Sequence, residues 1–400
     1  MGFSLNTLLS ESIESMATNR RSAIVMARKT EDHASLFRRI RFSVHDPVAL
    51  IELDEGAERI LILRDIEMER ARQQARVTQI HCPADFSPAG GLSGDRATAT
   101  AQAVAECLRR YGVEVVAGDR LLPLIYVDMI RRVGIEVEYD PDLGVLDRRQ
   151  KDEEEIACLR ESQRVTEEVI EQVCRLIAHS EADADGVLVN EGKRLTSENI
   201  RMCVDQTFME HGFTSPPAIV AGGPPASDCH NIGWGELKTS TPIIVDIFPT
   251  DRSTRFCGDC TRTVVHGDIP DEVAKMHEAV ALAKTEAIDA TKAGVTGQSV
   301  HEATLAVLTR FGYGTRLPTP EDPDTYCGMT CGTGHGIGLE VHEPPLLDFK
   351  GPELLTGDVL TIEPGLYCQA IGGVRLEDMV VVREDSCENL NTLPEGLCWR

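Results

Sequence analysis

The 400-residue chain has no run of about 18 consecutive apolar residues, and so no candidate for a membrane-crossing helix. It is also short of positive charge: 40 Lys and Arg stand against 65 Asp and Glu, a net charge of −25. Binding nucleic acid on a basic surface draws on clustered Lys and Arg, so that class is excluded too. Residues 1–16 contain Glu11 and Glu14 and have neither a basic start nor an apolar stretch behind it, so no secretory signal is read there. Cysteine is not scarce, but thirteen is an odd number, spread from Cys82 to Cys398. Disulfide frameworks belong to small secreted domains, so these are expected to be reduced thiols packed in a cytoplasmic protein.

What is present is ordinary for a globular protein: 42% hydrophobic and 26% charged residues, enough to build a real core. The length implies two or perhaps three domains by the usual domain size. Residues 48–53 and 60–63 read as short strands around a turn at Asp54-Glu55-Gly56, followed by a polar helix over 66–75. Residues 97–111 and 121–133 read as helices closed by Gly112 and Gly134, each followed by a strand, over 113–116 and 135–139. That alternation predicts a three-layer α/β domain. It holds neither a nucleotide loop nor a catalytic cluster. A charged stretch at 147–155 (DRRQKDEEE) then leads into a long helix through residue 178, with the domain boundary placed near Asp147. The run itself reads as a solvated helix start without a catalytic role.

The rest of the chain reads as internally duplicated. An apolar strand at 242–250 carries Asp246 and a second at 256–266 carries Asp259; later, 359–367 carries Glu363 and 373–382 carries Glu377. The acids are thirteen residues apart in the first pair and fourteen in the second. Helices at 271–291 and 300–311 lie between the pairs, which fits two α/β halves related by a pseudo-twofold. An ionised carboxylate in an apolar strand has to be neutralised, ion-paired or bound to metal. Arg262 and Arg375 are candidate ion-pair partners. His335, in the glycine-rich 332–338 (GTGHGIG), adds an imidazole where glycines permit close backbone approach. That segment is no dinucleotide fingerprint, because Ile337 stands where the last glycine belongs.

Four carboxylates and an imidazole form a hard donor set suited to Mn²⁺, Co²⁺, Fe²⁺ or Zn²⁺. Two such ions about 3.5–4 Å apart can share a bridging water and lower its pKa towards neutrality. The product is a hydroxide nucleophile, for which Glu363 is the best general base. Rival signals are weaker. Cys257 and Cys260 form a C-x-x-C, but three residues apart on a strand they point to opposite faces. His277-Glu278 and His301-Glu302 lack the second histidine of a zincin helix, and 186–194 has the wrong spacing for a P-loop.

The segments 259–263 (DCTRT), 334–343 (GHGIGLEVHE), 362–365 (IEPG) and 374–378 (VRLED) resemble the pita-bread metallopeptidase family. That family comprises Xaa-Pro aminopeptidases, Xaa-Pro dipeptidases (prolidases), methionine aminopeptidases and the metal-free creatinase. The resemblance implies a creatinase/prolidase-like N-terminal domain over 1–147 and a pita-bread catalytic domain, a duplicated α+β fold, over 148–400. It implies Asp246, Asp259, His335, Glu363 and Glu377 as ligands of two divalent metal ions, with Mn²⁺ favoured over Co²⁺, Zn²⁺ or Fe²⁺. Glu363 is implied as general base, His342 as stabiliser of the tetrahedral intermediate and His230 as a substrate contact. Arg375 matches an arginine that is structural or substrate-facing. The implied activity removes an N-terminal residue that precedes proline from a peptide, in a homodimer. The alternatives are a strict Xaa-Pro dipeptidase, a creatinase-like C–N hydrolase and a non-catalytic binding relative. One departure is that Ile247-Phe248-Pro249 follows Asp246 where the family has a small residue and glycine. The hairpin is read as about two residues longer, reshaping the substrate entrance.

Overall fold

The computed structural model describes residues 20–400, so the stretch 1–16 lies outside the described residues. The chain divides after Arg148 into two compact units. No described helix is long and apolar enough to cross a membrane.

The first unit is a six-stranded mixed sheet covered on both faces. Its order is Gln79–His81, Glu58–Ile62, Val48–Leu53, Ser22–Arg28, Val115–Gly118 and Glu136–Tyr139. The central strand Ser22–Arg28 pairs antiparallel with Val48–Leu53 and parallel with Val115–Gly118. Alternation divides its side chains: Val25 and Ala27 join the core under the helices Arg96–Arg110 and Leu124–Arg132. Met26 joins the opposite core, with Leu36 and Ile40 from the helix Ala34–Ile40. A strand covered on both faces reads as an unbroken apolar run, and every residue of Val48–Leu53 is buried. Its one charge, Glu52, meets Arg39 and Arg59.

In the second unit the charged run proves to be more than a solvated helix start. Asp152 caps the helix Glu153–His179 by accepting from the Glu155 amide, while Glu155 accepts from the Asp152 amide, a reciprocal capping box. Ahead of the cap, Arg149 grips both oxygens of buried Asp358 at 3.0 and 2.6 Å. Lys151 donates to buried Glu343 at 3.1 Å. A run of mixed charge carries no sign of these partners, which lie about two hundred residues downstream.

The helices Glu153–His179 and Ser197–Glu210 pack on an antiparallel sheet of Ile219–Gly222, Pro242–Ile247 and Cys260–Val265. The helices Asp271–Ala290 and Gly297–Arg310 pack with the second half. There a five-stranded sheet includes Gly334–Gly336, Val359–Ile362 and Asp378–Val382, and a three-stranded one pairs Gly365–Cys368 with Gly372–Arg375. The two halves are joined where the Glu377 amide donates to the Thr261 carbonyl and the Thr263 hydroxyl donates to the Arg375 carbonyl.

A buried charge cluster backs this seam. Asp378 accepts from Arg262 at 2.9 Å and Asn389 at 2.8 Å and also meets Lys284. Asp378→Ala would leave two buried cations short of their common counter-charge. Breaking a buried ion pair from one side costs about 3–5 kcal/mol, and urea unfolding of the variant is expected to show a loss of that size. A loss below about 1 kcal/mol, the scale of an exposed ion pair, would mean the cluster is solvated.

Candidate metal centre

The strand breaks aim the acids. Of the four carboxylates expected in mid-strand, only Asp246 lies inside one, Pro242–Ile247. Asp259 sits one residue before Cys260–Val265, Glu363 one residue after Val359–Ile362, and Glu377 between Gly372–Arg375 and Asp378–Val382. Leaving the ladder at these points frees three side chains from strict alternation, so they can turn towards one centre. Asp246 needs no break, because its side of the strand, opposite Thr261 in register, already faces that centre.

Donor atoms of Asp259, His335 and Glu377 lie within 4.8 Å of one another, and all three residues are buried. Glu363 joins through His335, whose Nε2 is 3.2 Å from Glu363 Oε1 and 3.8 Å from Asp259 Oδ2. The other ring nitrogen, Nδ1, lies 3.1 Å from the Gly336 carbonyl. A carbonyl can only accept, so Nδ1 carries the proton and Nε2 is turned towards the acids, where burial opposes the charged ring but Glu363 raises the imidazole above its ordinary range. Gly334 allows the ring this position: a Cβ there would fall 1.9 Å from the Thr361 carbonyl oxygen. Asp246 lines the same cavity, of about 250 Å³, as do His230, His342 and Arg375. His230 and His342 are exposed, and the His342 ring lies 4.3 Å from that of His335.

The two arginines divide their work. Arg375 donates to Asp246 Oδ2 at 2.5 Å, to the Tyr367 hydroxyl at 2.8 Å, to the Cys229 carbonyl at 3.2 Å and to the Thr261 hydroxyl at 3.3 Å. Arg262 turns away to Asp378. Asp259 and Glu377 have no Lys or Arg ion pair among the described residues. Burial, then mutual repulsion among the acids, pushes both carboxyls well above the ordinary range. Burial also raises Asp246, although Arg375 opposes it. Glu363 goes the other way: burial works against its charge, but His335 and Arg375 outweigh it and hold the carboxyl below the ordinary range.

Some residues of the site escaped the sequence reading. The Thr261 hydroxyl donates to Glu377 Oε2 at 2.7 Å while accepting from Arg375. Thr361 donates to Glu363 Oε1 at 3.2 Å. The available signal was a threonine two positions from an acid, Thr261 after Asp259 and Thr361 before Glu363. Phe248, in the hairpin expected to reshape the entrance, lines the cavity. Cys257 and Cys260 diverge as their spacing required, one to Thr250 and the other to the Glu377 carbonyl.

Fold and site together define a candidate divalent-cation site of buried acids and an imidazole, seated between two α/β halves. Residues 157–384 match the profile of metallopeptidase family M24, and the chain belongs to that family. It is 28% identical over 227 residues to the Xaa-Pro dipeptidase of Pyrococcus furiosus, a match covering 56% of this chain and 60% of that one. The chain thus spans three fifths of that curated relative. Among solved structures, the X-Pro aminopeptidase of Thermotoga maritima superposes with a TM-score of 0.77 at 23% identity, over 94% of this chain and 97% of that one. The Xaa-Pro dipeptidase of Bacillus anthracis does so with 0.77 at 22%, over 97% of each chain. The fold is accordingly the α/β pita-bread architecture of these peptidases.

Proposed function

We propose that this chain is a metal-dependent exopeptidase that hydrolyses the bond between an N-terminal residue and a following proline. The reading is carried by the convergence of Asp259, His335 and Glu377 donor atoms within 4.8 Å in a buried pocket. The donor set fits divalent cations on a further observation: Asp246 Oδ1 is buried and accepts no hydrogen bond. A buried carboxylate oxygen left so is costly unless a cation meets it. Asp246, Asp259, His335, Glu363 and Glu377 would hold two ions, with Mn²⁺ proposed first and Co²⁺, Zn²⁺ or Fe²⁺ accepted by the same donors. When bound, the ions would supply Lewis acidity towards the scissile carbonyl and a water of lowered pKa.

The protein's own groups do the rest. Glu363, ionised and held by Thr361, takes up a proton at Oε1 and returns it to the leaving proline nitrogen. The Nδ1–H of His335, fixed on Gly336, keeps Nε2 turned inward. His342 at the cavity rim donates towards the oxygen that gains charge as the amide carbon becomes tetrahedral, and His230 contacts the substrate. Arg375 is a positioning residue here, since Asp246, Tyr367, Thr261 and the Cys229 carbonyl engage its nitrogens.

That engagement supports an aminopeptidase over a strict dipeptidase. A dipeptidase has to recognise a free C-terminal carboxylate close to the scissile bond. In this cavity the guanidinium is already spent, and the wall adds Asp348, which repels such a group. The relatives named as dipeptidases favour the second reading. A homodimeric, cytoplasmic enzyme whose residues 1–147 form a creatinase/prolidase-like domain completes the proposal, resting on the family resemblance. The test is cleavage of a Xaa-Pro dipeptide, a Xaa-Pro-initiated tripeptide and a longer peptide in the presence of Mn²⁺ or Co²⁺. Release of the first residue from all three is expected. Cleavage of the dipeptide alone would establish the dipeptidase, and cleavage of none would overturn both readings.

A further inference from the structure

Two thiols line the same cavity without a part in the chemistry above. Cys229 lies beside His230, just after the turn Pro224–Ser227, and Cys331 lies four residues before His335. Both are free and partly exposed, and both lie on the cavity wall beside His230. They pack together against an apolar cluster that includes Ile219, Ala226 and Tyr367. The Cys229 carbonyl is held by Arg375, so the loop carrying this thiol is anchored rather than free.

We propose that Cys229 and Cys331 form a reversible dithiol site that is oxidised by small disulfides of the glutathione class, and that the resulting Cys229–Cys331 bond closes the cavity to peptide. The second half of this statement rests on the peptidase reading; the first does not. The Cys229 thiolate attacks one sulfur of the small disulfide, forming a mixed disulfide and expelling one thiolate, which takes up a proton. Cys331 then loses its proton to solvent and attacks the Cys229 sulfur, forming the intramolecular bond and expelling the second thiolate. The two protein thiols are oxidised and the small disulfide is reduced to two thiols.

Reactivity favours this order. Cys331 beside it, then the positive charge of His230 and Arg375, draw the Cys229 thiol below its ordinary range although burial opposes them. Thiolate character and access together select which cysteines react. The contrast is with Cys327 and Cys368, which face each other across two antiparallel strands. Burial pushes Cys327 up to about 12, and the Cys229 side chain together with burial pushes Cys331 up as well, which leaves Cys229 as the thiol that attacks first. A link between Cys229 and Cys331 would tie the His230 loop to the segment that leads into His335, on the wall of the cavity that both thiols line.

The test uses the reduced full chain treated with oxidised glutathione, then alkylated and mapped by mass spectrometry without reduction. A peptide pair joined through Cys229 and Cys331 is expected, separated again by dithiothreitol. Cys331→Ser is expected to stop at a glutathione adduct on Cys229. Recovery of both cysteines alkylated would overturn the site, as would a link at Cys327–Cys368 in its place. Xaa-Pro peptide cleavage is read on the same samples: it is expected to be lost on oxidation and regained on reduction. A mapped disulfide with cleavage unchanged would overturn the closure. Reduced protein that cleaves no such peptide with any metal would instead refute the peptidase reading and leave the mapped disulfide standing.

Discussion

Glu363→Gln is expected to lower the turnover of Xaa-Pro peptides by about 10²–10⁴-fold, the usual contribution of a positioned acid–base group. The substitution keeps the shape of the side chain and can still accept from Thr361, 3.2 Å away, but an amide cannot take up the proton that a carboxylate can. Burial opposes the charge of Glu363, but His335 and Arg375 hold it below the ordinary carboxyl range, so it is ionised and able to accept a proton. Steady-state kinetics should therefore show the loss in kcat, with the circular dichroism spectrum and melting profile preserved. Metal content of the variant separates its two proposed duties. Turnover lost with metal retained identifies the proton carrier, and turnover lost together with metal identifies a ligand only. Activity within about tenfold of the parent, below what general acid–base catalysis contributes, would remove Glu363 from the mechanism.

Stripping divalent cations with a chelator should abolish cleavage and lower the melting temperature, and Mn²⁺ or Co²⁺ should restore both. The physical reason is the concentration of like charge: buried acids facing one another repel, and a cation binding only the folded state removes that repulsion. Such binding stabilises by about 2.7 kcal/mol when free metal is a hundredfold above its dissociation constant. Calorimetric scans across a metal titration would follow the shift, with elemental analysis giving the stoichiometry. A melting temperature indifferent to either metal, together with less than one ion bound per chain, would favour the creatinase-like or non-catalytic alternatives.

Much of the first unit could be read from periodicity and turn residues. The helix Arg96–Arg110 and the strands Val48–Leu53 and Glu58–Ile62 fall within a residue or two of their expected bounds. The helix expected from residue 121 starts later, at Leu124, because Pro123 takes the N-cap position. The central strand Ser22–Arg28 and the helix Ser197–Glu210 were not anticipated. The first is a short apolar run without alternation, since both its faces are covered. The second buries only a narrow set of positions, including Ile200, Val204 and Phe208.

The amino-acid sequence alone determined the donor chemistry: four acids and an imidazole in fixed order, with apolar neighbours that make ionised carboxylates untenable without a counter-charge. It also determined that glycines flank His335, and so that a backbone could come close there. Only the tertiary structure decided how each charge is met. Arg375 takes one oxygen of Asp246 and Arg262 goes to Asp378, while Thr261 braces Glu377 and two cysteines about a hundred residues apart line one cavity with His230. Local pattern reports which groups must be neutralised, because burial is encoded nearby. It does not report by what, because electrostatic partners are chosen by separations of a few ångströms between segments far apart along the chain.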